Sequence, residues 1–264
     1  MSSRIDRKQV REAFADYTSA YDVTDEKIKL KIDHTYRVAE LCEQIAKSQC
    51  LSEEDVDVAW LLGMLHDVGR FEQLRQYGTF VDAKSIDHAQ FGADILFRDG
   101  KINDYLPRAI WSEEIKMKLL ETAIRCHSAY RIPEELDERT SMFCNILRDA
   151  DKIDILRVNM DVPLEAIYNV TTEELKNCEV SEGVLKSFEE EHATLRSLKK
   201  TPVDNVAGHI SLVFELVFPI SVRLVREQGY LDGLLQFESD CPKTREQFAC
   251  MRERVNQFMA KRVR

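Results

Sequence analysis

Only nine glycines and six prolines are spread over 264 residues. That is too little punctuation for a chain of many short strands, and it excludes fibrous or low-complexity disordered classes. The seven cysteines are an odd number without CxxC spacing, which argues against a disulfide framework and suits reduced thiols. Long apolar runs are missing as well: the richest later stretch, 210–220, is too short to span a bilayer and carries Glu215. The opening Met1-Ser2-Ser3-Arg4-Ile5-Asp6-Arg7 is charged rather than apolar and gives no signal-peptide pattern, so a cytoplasmic protein is expected. Cations are the minority, with 37 Lys and Arg against 47 Asp and Glu and a formal charge of -10. A field of that sign argues against nucleic-acid polymers or anionic membranes as partners, and a polyphosphate would need local cations to bind. No GxxxxGK[ST], GxGxxG or GxSxG is present, which removes the motif-based readings of P-loop, dinucleotide-binding and nucleophile-elbow chemistry.

What remains is 44% hydrophobic and 32% charged residues, a composition that leans to an all-α fold. Val10, Phe14, Tyr17 and Tyr21 recur at helical spacing and form one apolar stripe. Val38, Leu41 and Ile45 continue that period from His34, which places His34 on a buried face at the start of its helix. Ser52-Glu53-Glu54-Asp55 reads as a cap that opens a helix almost wholly apolar over 58–65, hence a central one. It runs into His66-Asp67-Val68-Gly69-Arg70, where Gly69 is expected to end the helix at positive φ. Further helices are expected over 87–97, 112–127 and 137–158, with loops at Gly78, Gly100, Pro107 and Pro133. After Pro163, helices are expected over 172–176, 181–199, 203–230 with a kink at Pro219, and 242–261. No flexible linker or internal repeat appears, so the simplest organisation is one domain over 1–264. Its core would cover about 30–160, with the helices of 165–264 packing on it; a separable helical lobe after 165 is the alternative.

An unpaired carboxylate at Asp67, directly after a buried helix, would cost several kcal/mol or more, and a divalent cation removes that cost. Four of the six histidines, His34, His66, His88 and His127, fall one each in successive expected helices, and Asp151 follows in the next. Helical bundles build interior metal sites in this way, one ligand per helix. His192 and His209 lie outside the ordered series and read as structural or solvated. Cys126 beside His127 is not a nucleophilic pair, because neighbours on a helix point in different directions.

With these residues in place, the chain resembles the HD superfamily of metal-dependent phosphohydrolases. The segments that carry the resemblance are His34-Thr35-Tyr36-Arg37-Val38, Leu62-Gly63-Met64-Leu65-His66-Asp67-Val68-Gly69-Arg70 and Ala150-Asp151-Lys152. The resemblance implies a helical HD bundle in which His34, His66, Asp67 and Asp151 hold a first metal. His88 in Asp87-His88-Ala89-Gln90-Phe91-Gly92-Ala93 and His127 in Ile124-Arg125-Cys126-His127 resemble the extra histidines of dinuclear members, where Asp67 would bridge both ions and orient the attacking water. One or two divalent ions are therefore the expected cofactor, and Fe, Mn, Zn, Ni, Co and Mg all remain open. Such ions would activate a water for attack on phosphorus, so no protein nucleophile is needed and Asp67 is the expected catalytic residue. Arg37, Arg70, Arg131 and Lys152 are the nearby cations for substrate phosphates.

The substrate expected is a phosphoester or phosphoanhydride, of a nucleotide or a similar small metabolite. The cyclic-dinucleotide phosphodiesterase subclass fits poorly, since its paired histidines and Gly-Tyr-Pro signature are missing. So do the guanosine-tetraphosphate hydrolases, since Val68-Gly69-Arg70-Phe71 stands where an acidic pair would follow His-Asp. A regulatory HD module that binds metal or nucleotide without turnover is the alternative, and a purely structural scaffold a third. Oligomeric state is not written in the sequence.

Overall fold

The computed structural model describes residues 5–106, 114–163, 167–168 and 170–262; the side chain of Ile115 is not among those described. No strand occurs among them, and the all-α expectation holds. The chain divides into two compact units, Met1–Asp151 and Lys152–Arg264.

In the first unit the helices start where short polar side chains can take up orphan backbone donors. Asp6 accepts from Lys8 and Gln9 ahead of α1 (Arg7–Ser19), Asp25 from Lys27 ahead of α2 (Glu26–Ser48), and Ser52 from Asp55 ahead of α3 (Glu53–Leu65). Because Asp25 caps α2, that helix begins two turns before His34 instead of at it. The expected stripe on α1 docks the helix: Phe14 meets Tyr36 and Phe71 edge-on, and the Tyr17 hydroxyl donates to Val68 O at 2.9 Å. Every residue of α3 from Val56 to Leu65 is buried, so this helix is the centre of the unit. It lies against α2 at Gly63, where a Cβ would stand 2.4 Å from the Ala39 Cα. Only a glycine allows that approach, and the approach carries the end of α3 to the buried face of α2.

After α3 come α4 (Val68–Tyr77), α5 (His88–Ala93), a π turn over Asp94–Arg98, α6 (Ile102–Tyr105), α7 (Glu114–Cys126) and α8 (Glu138–Asp161). The helix expected over 87–97 is thus α5 continued by a π turn. Gly69 does not end a helix. It lies within α4, and the glycines at positive φ are Gly78, Gly100 and Gly229. Gly69 instead permits contact: a Cβ there would be 2.4 Å from His88 O and 2.6 Å from Gly92 N, so α4 and α5 touch backbone to backbone. The loop expected at Pro107 and the first residues of the helix expected over 112–127 lie outside the described residues.

The second unit contains the last part of α8 and then α9 (Thr172–Lys176), α10 (Glu182–Glu189), α11 (Val203–Ile210), α12 (Pro219–Gln228), α13 (Tyr230–Leu235) and α14 (Pro242–Arg262). The helix expected over 181–199 stops at Glu189, since Glu191 has a φ of 55°, and the chain resumes as a single 3-10 turn at Arg196–Leu198. The stretch 203–230 is several elements and not one kinked helix. Pro219 is the first residue of α12, with Phe218 extended before it, as a residue preceding proline prefers. No helix among the described residues is long and apolar enough to cross a membrane.

Candidate metal centre

The break between α3 and α4 creates the site. His66 keeps helical dihedrals and closes its N–H on Leu62 O, while Asp67, at φ -106° and ψ 14°, turns the chain and caps α4 without a side-chain hydrogen bond. The Asp67 carboxylate is therefore not spent on the backbone and enters the cluster, flanked by candidate ligands from α2, α5, the end of α7 and α8.

Three imidazoles are locked by their Nδ1 atoms. His66 Nδ1 lies 2.8 Å from Gly63 O and His127 Nδ1 2.7 Å from Ile124 O. A carbonyl can only accept, so both rings carry the proton on Nδ1 and present Nε2 as a lone pair. His88 Nδ1 is held in the same sense by Asp82 Oδ2 at 2.8 Å. Such outer partners fix the ring orientation and basicity of metal-binding histidines.

The Nε2 atoms converge in two pairs. His34 and His66 meet at 3.3 Å, and His88 and His127 at 3.0 Å. Asp67 stands between the pairs and offers one oxygen to each. Its Oδ2 is 3.6 Å from both His34 and His66, while its Oδ1 is 3.6 Å from His88 and 3.7 Å from His127. Asp151 Oδ1 completes the first pair, 3.2 Å from His34 and 3.8 Å from His66. Donor atoms around an ion at roughly 2.1 Å are about 3.0 Å apart in cis octahedral and about 3.4 Å apart in tetrahedral geometry. The observed separations run from 3.0 to 3.8 Å, from the octahedral spacing to a few tenths of an ångström beyond the tetrahedral one. The pair His88 and His127 also sets two lone pairs against each other at 3.0 Å, an arrangement that a cation between them would make favourable. By chemistry and by spacing, the donor set fits divalent ions.

Electrostatics agree with a site prepared for cations. Burial, with the Arg70 charge next, pushes His88 down to about 4, and burial followed by His66 does the same to His127, also to about 4. His66 is lowered chiefly by burial. All three are neutral at pH 7 and able to ligate. Burial works against the charged form of Asp67, yet Lys31, His66, Arg70 and His88 together hold it well below the usual carboxylate range. Asp151, opposed in the same way by burial, is held down by His34, His66 and His127.

Of the four cations expected for substrate, Arg70 is at the cluster. Its Nε is buried without a hydrogen bond and lies 3.7 Å from Asp67 Oδ1, while Nη1 is anchored on Gln73, Phe80 O and Asp82. Arg37 is half-buried on α2 one turn beyond His34. Arg131 is exposed, with its guanidinium over the Tyr130 ring, and among the described residues no hydrogen bond or ion pair joins it to the six clustered side chains. Lys152 is buried on α8 directly after Asp151. Three residues escaped the sequence reading. Lys31 sits one turn before His34 and places its ammonium 2.7 Å from Asp67 Oδ2; the i to i+3 spacing was the available signal. Asp82 lies in a loop turn and binds His88, Arg70 and Gln73 together. Arg148 donates to the carbonyls of Cys126, His127, Ala129 and Tyr130, and so holds the C-terminal end of α7 and the loop that carries His127.

The side chains of the four histidines and Asp67 are at most 4% exposed, whereas Lys31, Arg70, Asp82 and Asp151 are 12–18% exposed. The histidines thus form a closed floor, and the cations and outer carboxylates border its open side. No curated protein and no solved structure matches the chain. Residues 32–156 match the family model of the HD domain, a span that contains all six side chains of the cluster.

Proposed function

We propose that the chain is a metal-dependent phosphohydrolase with a dinuclear centre, acting on a phosphoester or phosphoanhydride of a nucleotide or similar small phosphorylated metabolite. The observation that carries this reading is the division of Asp67, one oxygen toward the His34 and His66 pair and the other toward the His88 and His127 pair. His34, His66, Asp67 and Asp151 would hold one ion, and Asp67, His88 and His127 the other. Ions bound there would supply Lewis-acid activation of water and neutralise phosphoryl charge.

The chain's own residues set the rest. Asp67 is kept ionised by Lys31 and Arg70 and supplies a fixed negative centre between the two histidine pairs. The nearly inaccessible floor keeps bulk water off the histidines, while the partly exposed Lys31 and Arg70 meet whatever approaches from the open side. Arg70 cannot swing away, because Asp82, Gln73 and Phe80 O hold its Nη1, so it would position a non-transferring phosphate oxygen and not follow it. The test is phosphate release from a panel of nucleotides and phosphorylated metabolites by the full chain reconstituted with Fe, Mn, Zn, Ni, Co or Mg in turn. Turnover that disappears in Asp67→Ala supports the reading. Stoichiometric metal binding with no turnover on any substrate class would leave a metal-binding regulatory module in its place.

A further inference from the structure

The second unit, Lys152–Arg264, holds a group of polar side chains that the metal centre does not use. Its base is a chain of hydrogen bonds with a defined direction. Asn159 Nδ2 donates to Ile155 O at 2.8 Å, which turns its Oδ1 toward Tyr168, and the Tyr168 hydroxyl donates to that oxygen at 2.8 Å. The phenolic oxygen then accepts from His209 Nδ1, also at 2.8 Å. His209 therefore carries its proton on Nδ1, and its Nε2 is a lone pair without a partner among the described residues.

An unpaired cation lies across the residue before His209. The side chain of Lys199 is laid across Gly208, the residue before His209 on α11; a Cβ on Gly208 would be 2.4 Å from its Cε and 2.5 Å from its Nζ. No hydrogen bond or ion pair to the Lys199 ammonium is found among the described residues. The nearest acid, Asp204, is fully buried and is spent on Ser181 and on the backbone N–H groups of Lys200 and Thr201. Burial and the neighbouring Arg196 push the Lys199 amine down to about 8; burial, then Lys199 and Arg196, push His209 down to about 3. A cation and an imidazole lone pair thus lie at neighbouring residues of α11 in a chain of charge -10, and both Lys199 and His209 keep some access to solvent.

We propose that Lys199 and His209 form an anion site within the second unit that takes inorganic phosphate. The ligand class follows from the pairing of functions. An ammonium donor beside an imidazole lone pair calls for an ionised oxygen and a hydroxyl on one small centre. Hydrogen phosphate carries both at neutral pH, and a carboxylate carries only the first. The proposal stands apart from the reading of the metal centre.

The experiment is titration of the full chain, labelled with 15N at histidine ring nitrogens, with inorganic phosphate and in parallel with acetate. The expected result is a saturable shift of the His209 ring signals by phosphate at concentrations at least tenfold below those at which acetate acts. In Lys199→Gln the apparent Kd for phosphate should rise at least tenfold. Near-ultraviolet circular dichroism checks that this variant is folded, and if it is not, the wild-type titration alone decides. His209 signals that do not respond to phosphate, that respond equally to acetate, or that respond unchanged in folded Lys199→Gln would overturn the proposal.

Discussion

Replacing Gly69 by alanine adds a single methyl group at the tightest point of the site. That Cβ would fall 2.4 Å from His88 O, 2.6 Å from Gly92 N and 2.9 Å from Gly92 Cα, where ordinary contact begins at 3.4 Å. All three obstacles are backbone, so no side chain can rotate away, and α4 and α5 must separate by about 1 Å. Ligand distances in a metal site tolerate about 0.2 Å. His88 moves with α5 while Asp67 and the His66 pair stay with the end of α3. The variant should therefore lose the ion held with His88 and His127 and keep the one held with His34, His66 and Asp151. In an unstrained helix the same change would gain about 1 kcal/mol. Overpacking costs about 1–3 kcal/mol, and enough should remain after that offset to lower the melting temperature by several degrees. Metal content by mass spectrometry and a thermal melt on the same sample read both effects. A Gly69→Ala protein with wild-type metal content and an equal or higher melting temperature would refute the argument that backbone contact at Gly69 sets the position of His88.

Three further outcomes follow from other parts of the site. Asp82→Asn weakens the partner of His88 Nδ1 and the anchor of Arg70 together, and should lower affinity for the second ion by about 10–100-fold, measured by competition with a chelator; an unchanged affinity would remove Asp82 from the account. Arg148→Met leaves the carbonyls of Cys126, Ala129 and Tyr130 without their charged donor and should destabilise the chain by about 2–4 kcal/mol in urea unfolding, with a change below 0.5 kcal/mol, well under ~1, contradicting it. The metal-free protein should lose stability on acidification. His88 and His127 are each lowered from 6.5 to about 4 on folding, so between those values the unfolded chain binds the extra protons, and stability is complete above about pH 6.5 and falls as pH drops toward 4. His88→Gln with His127→Gln should flatten that dependence, and a slope equal to that of the parent would exclude these groups as its source.

The parts of the fold that local chemistry specifies were legible in the sequence. Ser52 caps α3 through Asp55 as its spacing suggested, and the unbroken apolar run after it is buried on all sides. The order of His34, His66, His88, His127 and Asp151 was readable because each stands on or beside a separate helix, and the structure draws these side chains together around Asp67. Contacts that depend on a distant partner were not readable. The use of Gly69 is set by Gly92 and His88 O across the interface, so positive φ was the wrong inference from glycine after a helix. Asp82 and Arg148 act from a loop turn and from the middle of α8, positions at which a charged residue looks like ordinary surface. In the second unit, apolar periodicity ran on past Glu189 and Ile210, where the α-helices in fact end.

The central claim is that one carboxylate, Asp67, joins two separate histidine pairs into a single two-ion site. It is tested most directly by counting metal ions per chain in the wild type, in Asp67→Ala, and in His88→Ala with His127→Ala, each purified folded and loaded identically. The account predicts two ions, close to none, and one, respectively. Metal content that Asp67→Ala leaves at the wild-type value would contradict it.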